Sequence, residues 1–236
     1  MKAILFDVDD TLYDQAQPTA QAYRLISQQP IDMGELLLIN SRHSCILFEK
    51  ARRQETSMEQ LYIERAKNNM REFGITISDE EAKLYQERYI QAQKEIHVSE
   101  TMEKLLDFCV ENGIFLGIIT NGLSDHQREK IDTLKLDRWI KKEHMLVSSD
   151  IGAEKPDKRI FDWAREHMGL GEIDTEDILY IGDSFEKDIV GAKGAGWKAV
   201  WYNRRNMIQP CENVIPDYIV KTDEELFELI KEIRSL

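Results

Sequence analysis

The sequence predicts an α/β fold in which a doubly wound parallel sheet carries an inserted all-helical unit. Three observations predict it. From His97 onward, short apolar runs alternate with helical periodicities, the pattern of parallel strands joined by helical crossovers. A further apolar run, Lys2-Ala3-Ile4-Leu5-Phe6, stands apart from these at the N-terminus. Between them, from about Pro18 to about Ile96, the periodicity is helical throughout, so a helical segment interrupts the sheet.

Taken in order, the first strand runs into Asp7-Val8-Asp9-Asp10-Thr11-Leu12. Leu36 to Ile39 and Cys45 to Phe48 then supply buried helix faces, and Leu61, Ile63, Met70 and Phe73 mark another helix. Ser78-Asp79-Glu80-Glu81 reads as a helix start, with an acceptor ahead of acids, and Leu84, Tyr85, Tyr89 and Ile90 continue it. Four helices are expected there. The predicted division is a core of residues 1–14 and 99–236 and a four-helix insertion of residues 15–98.

In the core, Ser99 or Glu100 opens a helix that stops at Asn112-Gly113. Ile114 to Ile119 is a strand ending at Thr120-Asn121-Gly122, followed by a helix with Ile131, Leu134 and Leu136 and a short strand at His144 to Val147. Lys155-Pro156 precedes a helix through Ile160 and Phe161, with proline expected in its first turn. Ile178 to Ile181 is a strand ending at Gly182-Asp183-Ser184, and a helix with Asp188, Ile189 and Ala192 follows. Lys198 to Tyr202 is a fifth strand, Tyr218 to Val220 an edge strand, and Thr222 to Arg234 a closing helix. Trp163 and Trp201 read as core.

Composition narrows the function. A net charge of -13 over 236 residues disfavours binding to a nucleic acid polymer, which needs clustered Lys and Arg. Cys45, Cys109 and Cys211 are too far apart in sequence for a zinc motif and suit free, buried thiols in a reducing compartment. The five histidines lack metal-ligand spacing. No stretch has the length of a membrane span or the pattern of a signal peptide, so a cytoplasmic protein without membrane contact is expected. Oligomeric state leaves no mark in the chain.

The chemistry collects at strand ends. An apolar strand that stops abruptly in acids needs a cation or hydrogen-bond donors for them, and a divalent metal is the simplest answer. Asp7, Thr120 and Asp183 each stand at the end of an apolar run. In doubly wound sheets, ligands bind beyond the carboxyl ends of the strands, so three such groups would face one crevice.

With these motifs in order, the chain resembles the haloacid dehalogenase-like (HAD) superfamily, whose core is Rossmann-like and in one branch carries a helical cap inserted after the first motif. All four family motifs are present: Asp7 to Leu12, Thr120, Lys155-Pro156, and Gly182-Asp183-Ser184 with Asp188. Thr120 or Lys155 alone would read as a helix cap or a surface cation. The resemblance implies that Asp7 is a nucleophile forming an aspartyl-phosphate. It implies that Asp9 protonates the leaving group and then activates water, with a proton affinity near the working pH. Asp7, the Asp9 main-chain carbonyl and Asp183 would hold Mg2+, with Asp188 holding metal-bound water or orienting the loop. Thr120 and the N–H groups of Asn121 and Gly122 would bind phosphate, and Lys155 would neutralise both nucleophile and phosphate.

Haloacid dehalogenases lack the second acid of the first motif and need no metal, so Asp9 and Asp183 favour phosphoryl transfer. The implied activity is a magnesium-dependent phosphatase of small phosphorylated metabolites, nucleoside monophosphates first and sugar phosphates next. Asp9-Asp10-Thr11 departs from the Asp-Gly-Thr common in mutases and phosphatases. Together with Ser148 to Gly152 and Lys155-Pro156-Asp157, it resembles the branch of pyrimidine nucleotide 5'-nucleotidases and N-acylneuraminate-9-phosphatase. A sugar phosphomutase on the same core is one alternative. A phospho-aspartate receiver or interaction module is another, disfavoured by the position of the acceptor on the first strand and by the chain's length. In the insertion, Phe48, Arg52 and Arg53 are candidates for substrate contact, although a core aromatic beside a solvated basic face accounts for them better.

Overall fold

β1 (Ala3–Phe6) is apolar at every position because both faces of the sheet bury it. The computed structural model describes residues 1–235, the side chain of Arg52 excepted. It forms two compact units, Met1–Asp14 with His97–Leu236, and Gln15–Ile96.

The second unit contains α1 (Ala16–Ile26), α2 (Met33–Arg52), α3 (Met58–Glu72) and α4 (Asp79–Gln93). α1 packs on α4, and α3 packs on both α2 and α4. Their shared core includes Ala22, Tyr23, Leu36, Ile63, Met70 and Tyr85. Asp32 and Ser57 cap α2 and α3, and Ser78 closes a capping box with Glu81 at the start of α4. Not all the expected apolar positions face inward: Ile46, Leu84 and Ile90 are exposed, as is Cys45. Consecutive helical residues are rotated by about 100°, so a run of four apolar side chains cannot share one buried stripe. Leu36, Leu37, Ile39 and Leu47 take the stripe on α2. Arg53 is exposed, Phe48 is half-buried, and the Arg52 side chain lies outside the described residues.

The first unit continues with α5 (Glu100–Glu111), whose Met102 N–H donates to Ser99 Oγ and which ends at Asn112 ahead of Gly113 with φ 65°. β2 (Phe115–Thr120) and α6 (Ser124–Thr133) follow. α6 stops earlier than its periodicity suggests: Lys135 takes a left-handed φ of 53°, and Leu136 is buried from a separate 3-10 turn. β3 (Met145–Val147) leads into α7 (Ser148–Ile151) and α8 (Lys158–His167). Pro156 precedes α8 and does not occupy its first turn; Asp157 caps the helix by accepting from Arg159 N–H, and the Lys155-Pro156 peptide is cis. β4 (Ile178–Gly182) passes into a π-type turn, Phe185–Ile189, in place of the regular helix start expected there, and then into α9 (Val190–Gly194). β5 (Lys198–Tyr202), β6 (Tyr218–Val220) and α10 (Asp223–Ser235) complete the chain.

The six strands pair in parallel in the order β3-β2-β1-β4-β5-β6. The chain winds outward from β1 in one direction and from β4 in the other, which leaves a crevice at their carboxyl ends. Register aligns those ends: Phe6 lies opposite Ile118 on β2 and Ile181 on β4. On one face of the sheet, the Phe161 ring meets Tyr180 and Trp197 edge-on, with centroids 5.4 Å and 5.3 Å away. Trp201 and Cys109 are buried, whereas Trp163 is only half-buried and stacks on His167, and Cys211 is exposed. Among the described residues no helix is long and apolar enough to cross a membrane.

Because Phe161 is fully buried among aromatic neighbours, Phe161→Ala is expected to cost about 3–5 kcal/mol, read as a lower urea midpoint.

Candidate active site

Lys155 carries the most densely bonded cation of the crevice. Its ammonium donates to Asp7 Oδ1 at 2.7 Å, Asp188 Oδ1 at 2.6 Å and the Tyr180 hydroxyl at 2.9 Å. All four side chains are buried. Each comes from a separate part of the fold: Asp7 follows β1, Lys155 precedes α8, Tyr180 lies in β4 and Asp188 in the π-type turn after it. Tyr180 in turn donates to the Ile119 carbonyl at 2.7 Å, anchoring the cluster to β2.

Asn121 fixes the Lys155 backbone. Its side-chain oxygen accepts from Lys155 N–H and its amide donates to the Lys155 carbonyl, both at 2.9 Å. Gly122, also expected to donate to phosphate, gives its N–H to Ser148 Oγ at 3.0 Å. Thr120 Oγ1 is buried and has no hydrogen-bond partner among the described residues.

Carboxylate oxygens of Asp7, Asp183 and Asp188 lie within 4.8 Å of one another. Three acids around one ammonium leave an excess of negative charge, the donor set expected of a hard divalent cation. Burial pushes the Asp7 carboxyl up to about 6; Lys155 opposes the shift, while Asp188 and Asp9 add to it. Asp183 is driven well above the usual carboxylate range by loss of water, then by Asp10, Asp188 and Asp7. Lys155 shows the opposite balance. Burial disfavours its charge, but Asp188 and Asp7 outweigh burial and hold the ammonium protonated. Asp188 spends both oxygens on the protein, one on Lys155 and the other on Ser184 N–H at 2.9 Å, which suits an orienting role.

Asp9 stands apart from this cluster. Its carboxylate accepts from Lys130 at 2.6 Å through both oxygens, from Gln127 at 2.9 Å and from the Tyr13 hydroxyl at 2.5 Å. Burial raises its proton affinity, but Lys130, Gln127 and Tyr13 together reverse the shift and hold it below the ordinary value. The expected proton affinity near working pH is therefore corrected: three donors to one carboxylate favour its ionised form.

Lys130, Gln127, Tyr13 and Tyr180 were absent from the sequence-based site. A signal for two of them exists. Gln127, Lys130, Ile131 and Leu134 follow the spacing of one inward helical stripe, and two of those four positions are polar.

A family model for haloacid dehalogenase-like hydrolases matches residues 1–196. The glyceraldehyde 3-phosphate phosphatase of Methanopyrus kandleri is 27% identical over 248 residues, spanning 99% of this chain and 98% of its own. The pyrimidine 5'-nucleotidase YjjG of Escherichia coli is 35% identical over 115 residues, 49% of each chain. A magnesium-bound structure of the Bacillus subtilis protein YfnB superimposes with a TM-score of 0.69 at 27% identity, covering 97% of this chain and 98% of that one.

Gly182 is the tightest point of the site, since an added Cβ would stand 2.3 Å from Asp188 Cγ. Gly182→Ala must displace Asp188 from Lys155 and is expected to cost about 1–3 kcal/mol by chemical denaturation.

Proposed function

The chain belongs to the haloacid dehalogenase-like hydrolase family, and from that premise we propose that it is a magnesium-dependent phosphatase of small phosphomonoesters. Nucleoside monophosphates are its first candidate substrates and sugar phosphates the next. The observation that carries this reading is the cluster of buried Asp7 and Asp188, both bonded to the Lys155 ammonium, with half-buried Asp183 beside them. A carbon–halogen hydrolase would have no use for that surplus of carboxylates. Phosphatases and a nucleotidase among the similar proteins point the same way.

Asp7 Oδ attacks phosphorus and the ester oxygen leaves, giving an aspartyl-phosphate that water then hydrolyses. Lys155, 2.7 Å from Asp7 Oδ1, holds the nucleophile in place and meets the charge of the incoming phosphate. Thr120 Oγ1, buried without a partner among the described residues, is free to donate to a phosphate oxygen. Asn121 N–H supports the same oxygen set, and Gly122 N–H joins it by exchanging Ser148 for phosphate. Asp7, the Asp9 carbonyl and Asp183 would hold Mg2+, which supplies charge neutralisation for the nucleophile and the phosphoryl oxygens. Asp188 orients Lys155 and the Ser184 loop. Asp9, held ionised, can take the proton of the attacking water; its first role requires that it bind a proton before the ester oxygen leaves, and its carboxylate is partly open to solvent, which can supply one. The helical insertion, residues 15–98, is the proposed cap and the source of substrate choice. A cytoplasmic setting belongs to this reading, since all three cysteines are free thiols.

Asp7→Asn preserves shape and removes the nucleophile, so the variant is expected to fold and to lose about a thousandfold or more in phosphate release from nucleotides and sugar phosphates. Wild-type rates in that variant would exclude Asp7 as nucleophile.

The raised Asp7 carboxyl also has a pH consequence. Its folded value of about 6 exceeds the reference 3.8, so the unfolded chain binds fewer protons in that window. The metal-free fold therefore loses stability as pH rises from about 4 through about 6. Mg2+ binds the ionised form and competes with those protons, so its gain in Tm is expected to be larger at about pH 7.5 than at about pH 5. Equal gains at both values would contradict the assignment.

A further inference from the structure

The first motif carries Asp10 where glycine is common, and the structure shows what that carboxylate meets. Asp10 takes a left-handed φ of 57°, a conformation that aspartate tolerates better than most residues, and its side chain is buried. Arg205 reaches it from the segment after β5 in a two-pronged grip: Nε donates to Oδ2 at 2.9 Å and Nη2 to Oδ1 at 2.5 Å. The same Nη2 donates to Asp14, which is half-exposed. Arg205 is presented by an ordered turn. Buried Asn203 braces that turn by accepting from Met207 N–H at 2.7 Å and donating to the Met207 carbonyl at 2.9 Å.

We propose that Arg205 is a positioning residue that neutralises Asp10 and thereby sets the cation affinity of the Asp7, Asp183 and Asp188 cluster. The inference rests on reading that cluster as the magnesium site. Asp10 lies three residues beyond Asp7, on the loop that leaves β1 beside the end of β4. Unopposed, Asp10 would be a fourth carboxylate in a region that holds three against one ammonium. Such a site would grip a divalent cation harder and repel a phosphate dianion. The planar guanidinium cancels the charge and fixes the carboxylate through two parallel bonds.

The test is Mg2+ binding to the full-length protein without substrate, by titration calorimetry, together with the Mg2+-induced shift in Tm. Wild type is compared with Asp183→Asn, Arg205→Met, Arg205→Lys, Asp10→Gly and the Asp10→Gly/Arg205→Met double variant. Loss of binding in Asp183→Asn establishes the cation site. Arg205→Met is then expected to bind Mg2+ about three- to tenfold more tightly, and Asp10→Gly weaker by a similar factor. The double variant should return to within about twofold of wild type, and Arg205→Lys, which keeps the charge and loses the fork, should stay near wild type. Asp10→Gly relaxes a positive φ, so it is expected to fold and tests the sign even if Arg205→Met does not. Weaker or unchanged binding in a folded Arg205→Met, unchanged or tighter binding in Asp10→Gly, or no recovery in the double variant would overturn this inference alone. Wild type that binds no Mg2+ sensitive to Asp183→Asn would overturn the magnesium reading and this inference with it.

Discussion

The site depends on one buried ammonium. Lys155 touches Asp7, Asp188 and Tyr180 at once and is 3% exposed, so none of these bonds is shared with bulk water. A buried charge of this kind is maintained only while its partners are correctly placed; removing one side of such a pair typically costs about 3–5 kcal/mol. The bonds therefore constrain the chain strongly. They tie the end of β1 to the loop before α8 and to the turn after β4, and Tyr180 extends the tie to β2. Asn121 completes it by holding the Lys155 peptide from both sides.

The sheet makes this convergence geometrically simple. With β1 between β2 and β4, and Phe6 level with Ile118 and Ile181, the three strand ends open onto one space. Gly182 then allows the following chain to turn tightly enough for Asp188 to fold back against it. Asp183 is held by its own backbone, whose carbonyl accepts from the Trp201 indole at 2.9 Å. Site geometry and core packing thus meet in the same residues: the Tyr180 hydroxyl accepts from Lys155 while its ring packs edge-on with Phe161.

Two acids of the first motif have cations of their own from distant segments. Asp9 is paired with Lys130 on α6, and Asp10 with Arg205 after β5. A run of acids at the end of an apolar strand is tolerable because each is assigned separate compensation. Asp7 shares Lys155 with Asp188, and Asp183 completes with them a group of acids that could hold a metal ion.

The sequence by itself determined the class of fold and the strands after which Asp7, Thr120 and Asp183 stand. Those features are written in local patterns: apolar runs bounded by turn signals, helical periodicity, and polar groups placed at strand ends. Helix starts at Ser78 and Ser99 were legible for the same reason, because a cap acts within three residues of itself. What only the tertiary structure decided was which charge meets which. Lys130 and Arg205 lie 121 and 195 residues from the acids they bind; helical spacing marks Lys130 as inward-facing but names no partner, and no local pattern marks Arg205. Burial of individual helix residues was likewise undecided. Ile46 and Leu47 are adjacent and similarly apolar, yet one faces water and the other the core, because a helix turns and only its packing partners define which side is inside.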